Sequence, residues 1–219
     1  MSISENIKKI KQEIPSEVKL VAISKTKPEE DILEAYNAGH RIFGENKIQE
    51  MTDKWEKLPE DIEWHMVGHV QRNKVKYMAP FVKLIHAVDS LKLLKEIDKQ
   101  AAKNDRSIDC LLQIKIAEED TKFGITVAEA KDILNSEKFR ELTHVKVVGL
   151  MGMATLTDNE QQIRQEFSFL KSTFDELSKE HPNLSTLSMG MSGDYRIAIE
   201  CGSNMIRVGS SIFGERNYN

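Results

Sequence analysis

The sequence predicts a single (β/α)8 barrel of the TIM type, and three observations carry that prediction. Eight short apolar runs rich in branched residues recur along the chain, each but the last is followed by an amphipathic stretch, and no block consists only of strands or only of helices. This alternation specifies βα units around a parallel sheet, and eight of them fit a closed barrel better than an open sheet. At 219 residues the chain lies in the range that one such barrel fills. Residues 1–219 are read as one domain, since no Pro/Gly/Ser-rich linker, internal repeat or low-complexity tract divides them.

Taken in order, the predicted strands are KLVAIS (Lys19 to Ser24), RIFGE from Arg41, EWHMVG from Glu63, LIHAVD from Leu84, CLLQIKI from Cys110, KVVGLMGM from Lys146, TLSMGM from Thr186 and MIRVGS from Met205. The last run has few residues after it, so its outer face needs cover from elsewhere. The N-terminal stretch Ile3 to Ile14 supplies an amphipathic helix for that purpose, with Ile3, Ile7, Ile10 and Ile14 at helical spacing. Pro28 suits a first-turn position, and Thr126 with Glu129 and Thr157 with Glu160 read as capping boxes.

Composition excludes several function classes. A formal net charge of −4, with both signs scattered along the chain, gives no electrostatic footprint for nucleic acid. No apolar run is long enough to cross a bilayer, and the opening MSISENIKKIKQEI is polar where a signal peptide is apolar, so a cytoplasmic location is expected. Cys110 and Cys201 lie far apart with no CxxC or Cys/His spacing and read as buried thiols. His65 and His69 have no carboxylate at metal spacing, so no metal is expected.

The active face of such a barrel is built at the carboxyl ends of its strands, and the unusual residues collect there. Lys25 ends the first strand, Glu45 and Asn46 the second and Gly68 the third; Ser192 follows the seventh, and Arg207, Gly209 and Ser210 lie on or after the eighth. Lys25 alternates with Val21 and Ile23, so its side chain shares a side with two apolar residues. Desolvation favours a neutral amine, which can attack an aldehyde and form a Schiff base. With Lys27 close by, Lys25 also fits a plain solvated strand end.

In SMGMSGDYRIA, Gly190, Ser192 and Gly193 sit at the turn into a short helix, where free N–H groups attract an anion such as phosphate. Gly209 and Ser210 add close backbone approach and a hydroxyl after strand eight; chain turning and a helix cap account equally for Ser192 and the glycines. A hydrolase elbow is a poor alternative, because Asp194 stands where G-x-S-x-G demands glycine. Arg207, charged within a buried strand, needs a partner, either a pyridine nitrogen or a structural ion pair with Glu45 or Glu200. An arginine would leave that nitrogen unprotonated and the ring a weak electron sink, which argues against transamination. Asn46 could bond a phenolic oxygen, or cap a helix with Gln49; Lys122, after strand five, is either a second amine at the active face or a solvated loop lysine.

The stretches AISKTKP, IFGENKIQE, EWHMVGHVQRNK, TKFGI, GLMGM, LSMGMSGD and IRVGSSIFGERNY resemble the pyridoxal phosphate homeostasis proteins, the YggS-like family, over nearly the whole chain. The resemblance implies an alanine-racemase-like barrel carrying pyridoxal 5′-phosphate on Lys25, its phosphate held by Ser192, Gly209 and Ser210, and Arg207 near the ring nitrogen. It also implies a carrier or regulator of the vitamin B6 pool, with apoenzymes as possible recipients and no strong catalysis. The chain departs from the family's usual pattern at His69, often proline, and at Ser210, commonly threonine with the hydroxyl retained.

Two alternatives remain open on the sequence. An amino-acid racemase of this barrel type carries an additional β domain that supplies a second base, and the chain ends soon after strand eight, so efficient two-face proton transfer is not expected. A barrel using Lys25 for aldol chemistry without a cofactor would lack a visible cofactor band. A monomer is the expected state.

Overall fold

All eight expected strands form, and they close on themselves. The computed structural model describes residues 2–118 and 123–215. Its strands are β1 (Lys19–Ile23), β2 (Ile42–Glu45), β3 (Glu63–Met66), β4 (Leu84–Val88), β5 (Ile108–Gln113), β6 (Val145–Met151), β7 (Thr186–Ser188) and β8 (Met205–Val208). Each pairs in parallel with its neighbour in sequence, and β8 returns to β1 through the register Lys19↔Met205 to Ala22↔Val208. A parallel barrel of this kind has no free edge. β5 starts at Ile108, upstream of the expected Cys110, because the Ile108 N–H is already taken by the His144 carbonyl at 3.0 Å.

Alternation along the strands sorts side chains into two layers. Leu20, Ala22, Phe43, Trp64, Ile85, Leu112 and Ile206 join the large cluster between sheet and helices. Val21, Leu84, Ala87, Leu111, Met151 and Met205 form a separate buried cluster inside the barrel. Each large apolar side chain buried in either layer contributes about 1.5–3 kcal/mol of transfer free energy.

Helices wrap the outside: α1 (Ile3–Glu13), α2 (Glu29–Asn37), α3 (Ile48–Trp55), α4 (Val75–Met78), α5 (Leu91–Lys103), α6 (Val127–Asn135), α7 (Glu137–Arg140), α8 (Glu160–Glu180), α9 (Tyr195–Glu200) and α10 (Ser210–Phe213). α1 buries Ile7 and Ile10 and is fixed on both flanks of β8: Asn6 donates to the Ile212 carbonyl at 2.9 Å, and Tyr195 and Arg196 donate to the Glu13 carboxylate. It thereby covers the last strand, as its spacing predicts.

The helix starts hold with small shifts. Thr126 and Glu129 form the expected capping box, whereas Thr157 lies too far upstream: Asn159 caps α8 by accepting from the Gln161 and Gln162 amides. Pro28 is the cap residue of α2, one position before its first turn. Cys110 is buried in β5, while Cys201 is half-buried at the end of α9 and not in a strand. Among the described residues no helix is long and apolar enough to cross a membrane.

Candidate functional site

At the carboxyl end of β1 the ladder runs one residue beyond the strand, through Ser24 N–H to the Gly44 carbonyl at 3.0 Å, and leaves Lys25 half-buried in the turn that follows. Lys25 therefore stands just past the strand end. Thr26 has φ 62°, a left-handed conformation that costs a threonine free energy unless its neighbours fix it. They do so here: the Thr26 N–H donates to Glu50 Oε1 at 2.5 Å, and Lys54 Nζ, from the same helix α3, donates to Glu50 Oε1, Glu45 Oε1 and the Ser24 carbonyl at 2.7, 2.8 and 2.8 Å. The Ser24 hydroxyl completes this cluster with a 2.6 Å bond to Glu45 Oε1. The residues on either side of Lys25 are thus held by a polar network on the outer face of the sheet. Burial pushes the Glu45 carboxyl up to about 7, a shift that Lys54 only partly offsets. Its second oxygen, Oε2, is buried with no hydrogen-bond partner among the described residues.

On the inner face, Arg207 projects from β8 into the barrel, where its Nη1 donates to Ser188 Oγ at 2.6 Å and its Nη2 to the Gly152 carbonyl at 3.0 Å. Burial lowers its pKa to about 10, with the Asp194 charge opposing. The expected ion-pair alternative is corrected by these contacts: Glu45 pairs with Lys54 and Glu200 with Arg164, while Arg207 rests on a hydroxyl and a carbonyl. Behind Ser188, His86 Nδ1 lies 3.0 Å from Ser188 Oγ, and His86 Nε2 lies 3.0 Å from His65 Nδ1. Burial holds His65 down at about 3 and His86 well below the usual imidazole range, so both rings are neutral.

The loops after β7 and β8 meet at Ser192. Its Oγ accepts from the Gly209 amide at 3.1 Å and, more weakly, from the Ser211 amide at 3.5 Å, so the serine ties two loops together and does not cap α9, whose cap position is Asp194. These amides are already aimed at an oxygen. Gly190, at φ 98°, allows the turn: a Cβ there would lie 2.6 Å from Ala198 Cβ.

A cavity of about 350 Å³ gathers these parts, lined by Ile23, Lys25, Ser192, Arg207, Gly209 and Ser210 with neighbouring groups such as Lys27 and Leu156. Five of the six expected binding residues share it, namely Lys25, Ser192, Arg207, Gly209 and Ser210. Asn46 does not line it; it is exposed just after β2, and it does not cap α3, whose cap position is Lys47 because the helix starts only at Ile48. Gly68 packs against the Asn46 backbone so tightly that a Cβ would lie 2.3 Å from its carbonyl oxygen. His65 and His69 diverge: His65 meets His86 inside the barrel, and His69 stacks on Phe123 at 4.7 Å with Asp89 3.6 Å away. Lys122 lies outside the described residues. The sequence reading missed Lys54, Glu50, Ser24, Ser188 and His86; the last three stood within the quoted strands KLVAIS, TLSMGM and LIHAVD, as polar residues in apolar runs.

Imine formation with a phosphorylated heteroaromatic aldehyde fits this donor set: an amine for an aldehyde, a guanidinium for a ring nitrogen, and hydroxyls with aligned amides for a phosphate. Comparison with known proteins agrees in kind. The family described as alanine racemase, N-terminal domain, matches residues 1–217. The pyridoxal phosphate homeostasis protein of Aquifex aeolicus is 43% identical over 91% of this chain and 88% of that protein. The structure of PipY from Synechococcus elongatus PCC7942, with PLP bound, superposes with a TM-score of 0.89 at 34% identity, covering 97% of this chain and all of the other. An alanine racemase of Clostridium difficile shares the fold alone, with a TM-score of 0.79 at 12% identity, this chain spanning 58% of its length. The chain belongs to the alanine racemase N-terminal-domain family and, within it, to the pyridoxal phosphate homeostasis proteins.

Proposed function

We propose that the chain, as one domain, binds pyridoxal 5′-phosphate as a Schiff base on Lys25 and acts in the cytoplasm, as a monomer, as a carrier or regulator of the vitamin B6 pool without strong catalysis of its own. The observation that carries this reading is the single cavity lined by the Lys25 amine, the Arg207 guanidinium and the Ser192 and Ser210 hydroxyls. When bound, the cofactor supplies an electrophilic aldehyde and an electron-withdrawing pyridine ring. Lys25 would provide the amine, oriented by the flanking bonds to Ser24 and Thr26. Arg207 would donate to the ring nitrogen without protonating it, and Ser192, Gly209 and Ser210 would receive the phosphate. Asn46 is retained as a candidate for the phenolic oxygen, from the loop beside the mouth. Relatives that match nearly end to end carry the homeostasis name, whereas the alanine racemases match at 12–14% identity, which supports carrier over racemase.

The test is borohydride reduction of protein saturated with pyridoxal 5′-phosphate, followed by peptide mapping. The reading requires the adduct on Lys25 and its loss in Lys25→Ala with the fold retained. An equally abundant adduct in the variant would assign another lysine, and robust turnover of several amino acids in a racemase assay would remove the carrier reading.

A further inference from the structure

Four polar side chains run in one line through the apolar barrel interior: Arg207 on β8, Ser188 on β7, His86 on β4 and His65 on β3, with successive contacts of 2.6, 3.0 and 3.0 Å. Each is buried, and burying such groups is costly unless every donor meets an acceptor. The direction of the chain follows from the donor inventory. Arg207 can only donate, so Ser188 Oγ accepts from it and has one O–H left to give. That hydrogen goes to His86 Nδ1, which must then be bare; His86 carries its proton on Nε2 and donates to His65 Nδ1, and His65 carries its own on Nε2. The reverse arrangement would leave the Ser188 hydrogen with no acceptor among the described residues, since Arg207 and His86 are its recorded partners. The neutrality of both rings, imposed by burial, is consistent with this order.

We propose that His86, braced by His65, is a positioning residue for the cofactor: the one-way chain from Arg207 through Ser188 locks the guanidinium in one orientation at the cavity wall. Two of the five guanidinium N–H groups are spent on Ser188 and Gly152, which fixes where the others point. Without His86 the Ser188 hydroxyl would lose the acceptor that fixes its rotation, and the guanidinium would lose the contact that sets its plane. The inference rests on the functional reading above and deepens it, since the orientation matters only if a ring nitrogen faces Arg207.

The test has a ligand-free arm and a loaded arm. In protein labelled with 15N-histidine, the ring nitrogens of His65 and His86 at pH 7 should both report neutral imidazole protonated on Nε2. Pyridoxal 5′-phosphate affinity and the absorption band of the bound cofactor are then compared in wild type, His86→Leu, His86→Gln and Ser188→Ala. His86→Leu and Ser188→Ala should each weaken retention about tenfold and move the band, because the loss is of one oriented contact to a charged group. His86→Gln, whose amide both accepts and donates, should restore affinity to within about threefold. Wild-type protein that takes up no pyridoxal 5′-phosphate refutes the functional reading. Uptake by wild type together with an indifferent, folded His86→Leu refutes this proposal alone. If His86→Leu does not fold, the tautomers decide: a His86 protonated on Nδ1, or charged, overturns the chain.

Discussion

Lys54→Met probes the network behind Lys25 through an effect that changes with pH. The Lys54 ammonium, buried at the sheet surface, holds Glu45, Glu50 and the Ser24 carbonyl, and methionine keeps its shape while removing all of these bonds. Removing one partner of a buried pair costs about 3–5 kcal/mol. Near pH 7 the cost should fall at the low end, because Glu45, already raised to about 7, takes a proton readily. The sign of the pH dependence follows from linkage. A carboxyl whose folded pKa is raised contributes stability that is complete below its ordinary value of 4.5 and is lost as pH rises through about 7. In the wild-type protein that loss levels off above pH 7, as folded Glu45 ionises against Lys54. In the variant no ammonium opposes burial, so folded Glu45 stays protonated and stability keeps falling by about 1.4 kcal/mol per pH unit. The gap between variant and wild type should therefore widen by about 1 kcal/mol from pH 7 to pH 8. Urea unfolding at pH 6, 7 and 8 measures it, with Glu45→Gln and the double variant as controls in which the widening disappears. A gap that stays constant with pH, or widens equally in the Glu45→Gln background, would refute the reasoning.

Other consequences can be checked on the same material. Folded His65 is held at about 3 and His40 at about 4, with His86 lower than usual as well, so the unfolded chain binds protons that these folded rings refuse. Stability should be fully present above pH 6.5 and fall below it by about 1.4 kcal/mol per pH unit for each ring, with Glu45 opposing by one proton; denaturation midpoints that stay flat from pH 6.5 to 5 would show the rings charged in the fold. Gly68→Ala should cost about 1–3 kcal/mol, because its Cβ must displace the Asn46 carbonyl from 2.3 Å, and an unchanged unfolding midpoint would rule out that close approach. Ser210→Ala should weaken pyridoxal 5′-phosphate retention about fivefold, the worth of one hydroxyl contact of about 1 kcal/mol; an unaltered dissociation constant would count against the phosphate assignment.

What the sequence could reveal was set by periodicity. Lys25, Ser192, Arg207, Gly209 and Ser210 were legible because counting along an apolar run locates the strand end, and in this fold strand ends face one mouth. Lys54 and Glu50 were not, because at i,i+4 on an amphipathic helix they read as a solvated pair. Only the packing of α3 against the ends of β1 and β2 turns that pair inward onto Ser24 and Glu45. His86 was hidden differently. The register between β4 and β5 shifts between Ile85 and Val88, so both Leu84 and Ala87 join the interior cluster and strict alternation cannot say which way the intervening His86 points. The cap reading of Asn46 failed for a simpler reason: α3 starts only at Ile48, which puts Lys47 at the cap position and leaves the Asn46 side chain exposed just after β2.

The two groups that would grip the cofactor are held by separate assemblies, one on each face of the same sheet. Lys25 is flanked by Ser24 and Thr26, which answer to Glu45, Glu50 and Lys54 outside the barrel; Arg207 answers to Ser188, His86 and His65 inside it. Among the described residues, the side chains that hold Ser24 and Thr26 are not the ones that hold Arg207. Perturbations without shared partners add, whereas perturbations within one network do not. Lys54→Met and His86→Leu should therefore weaken pyridoxal 5′-phosphate retention by amounts that sum in the double variant to within about 0.5 kcal/mol, while Ser188→Ala combined with His86→Leu should lose little more than either alone. Dissociation constants for the three single variants and their two combinations decide the matter. Strong coupling across the sheet, or full additivity along the inner chain, would show that the wall between Lys25 and Arg207 does not divide the labour in this way.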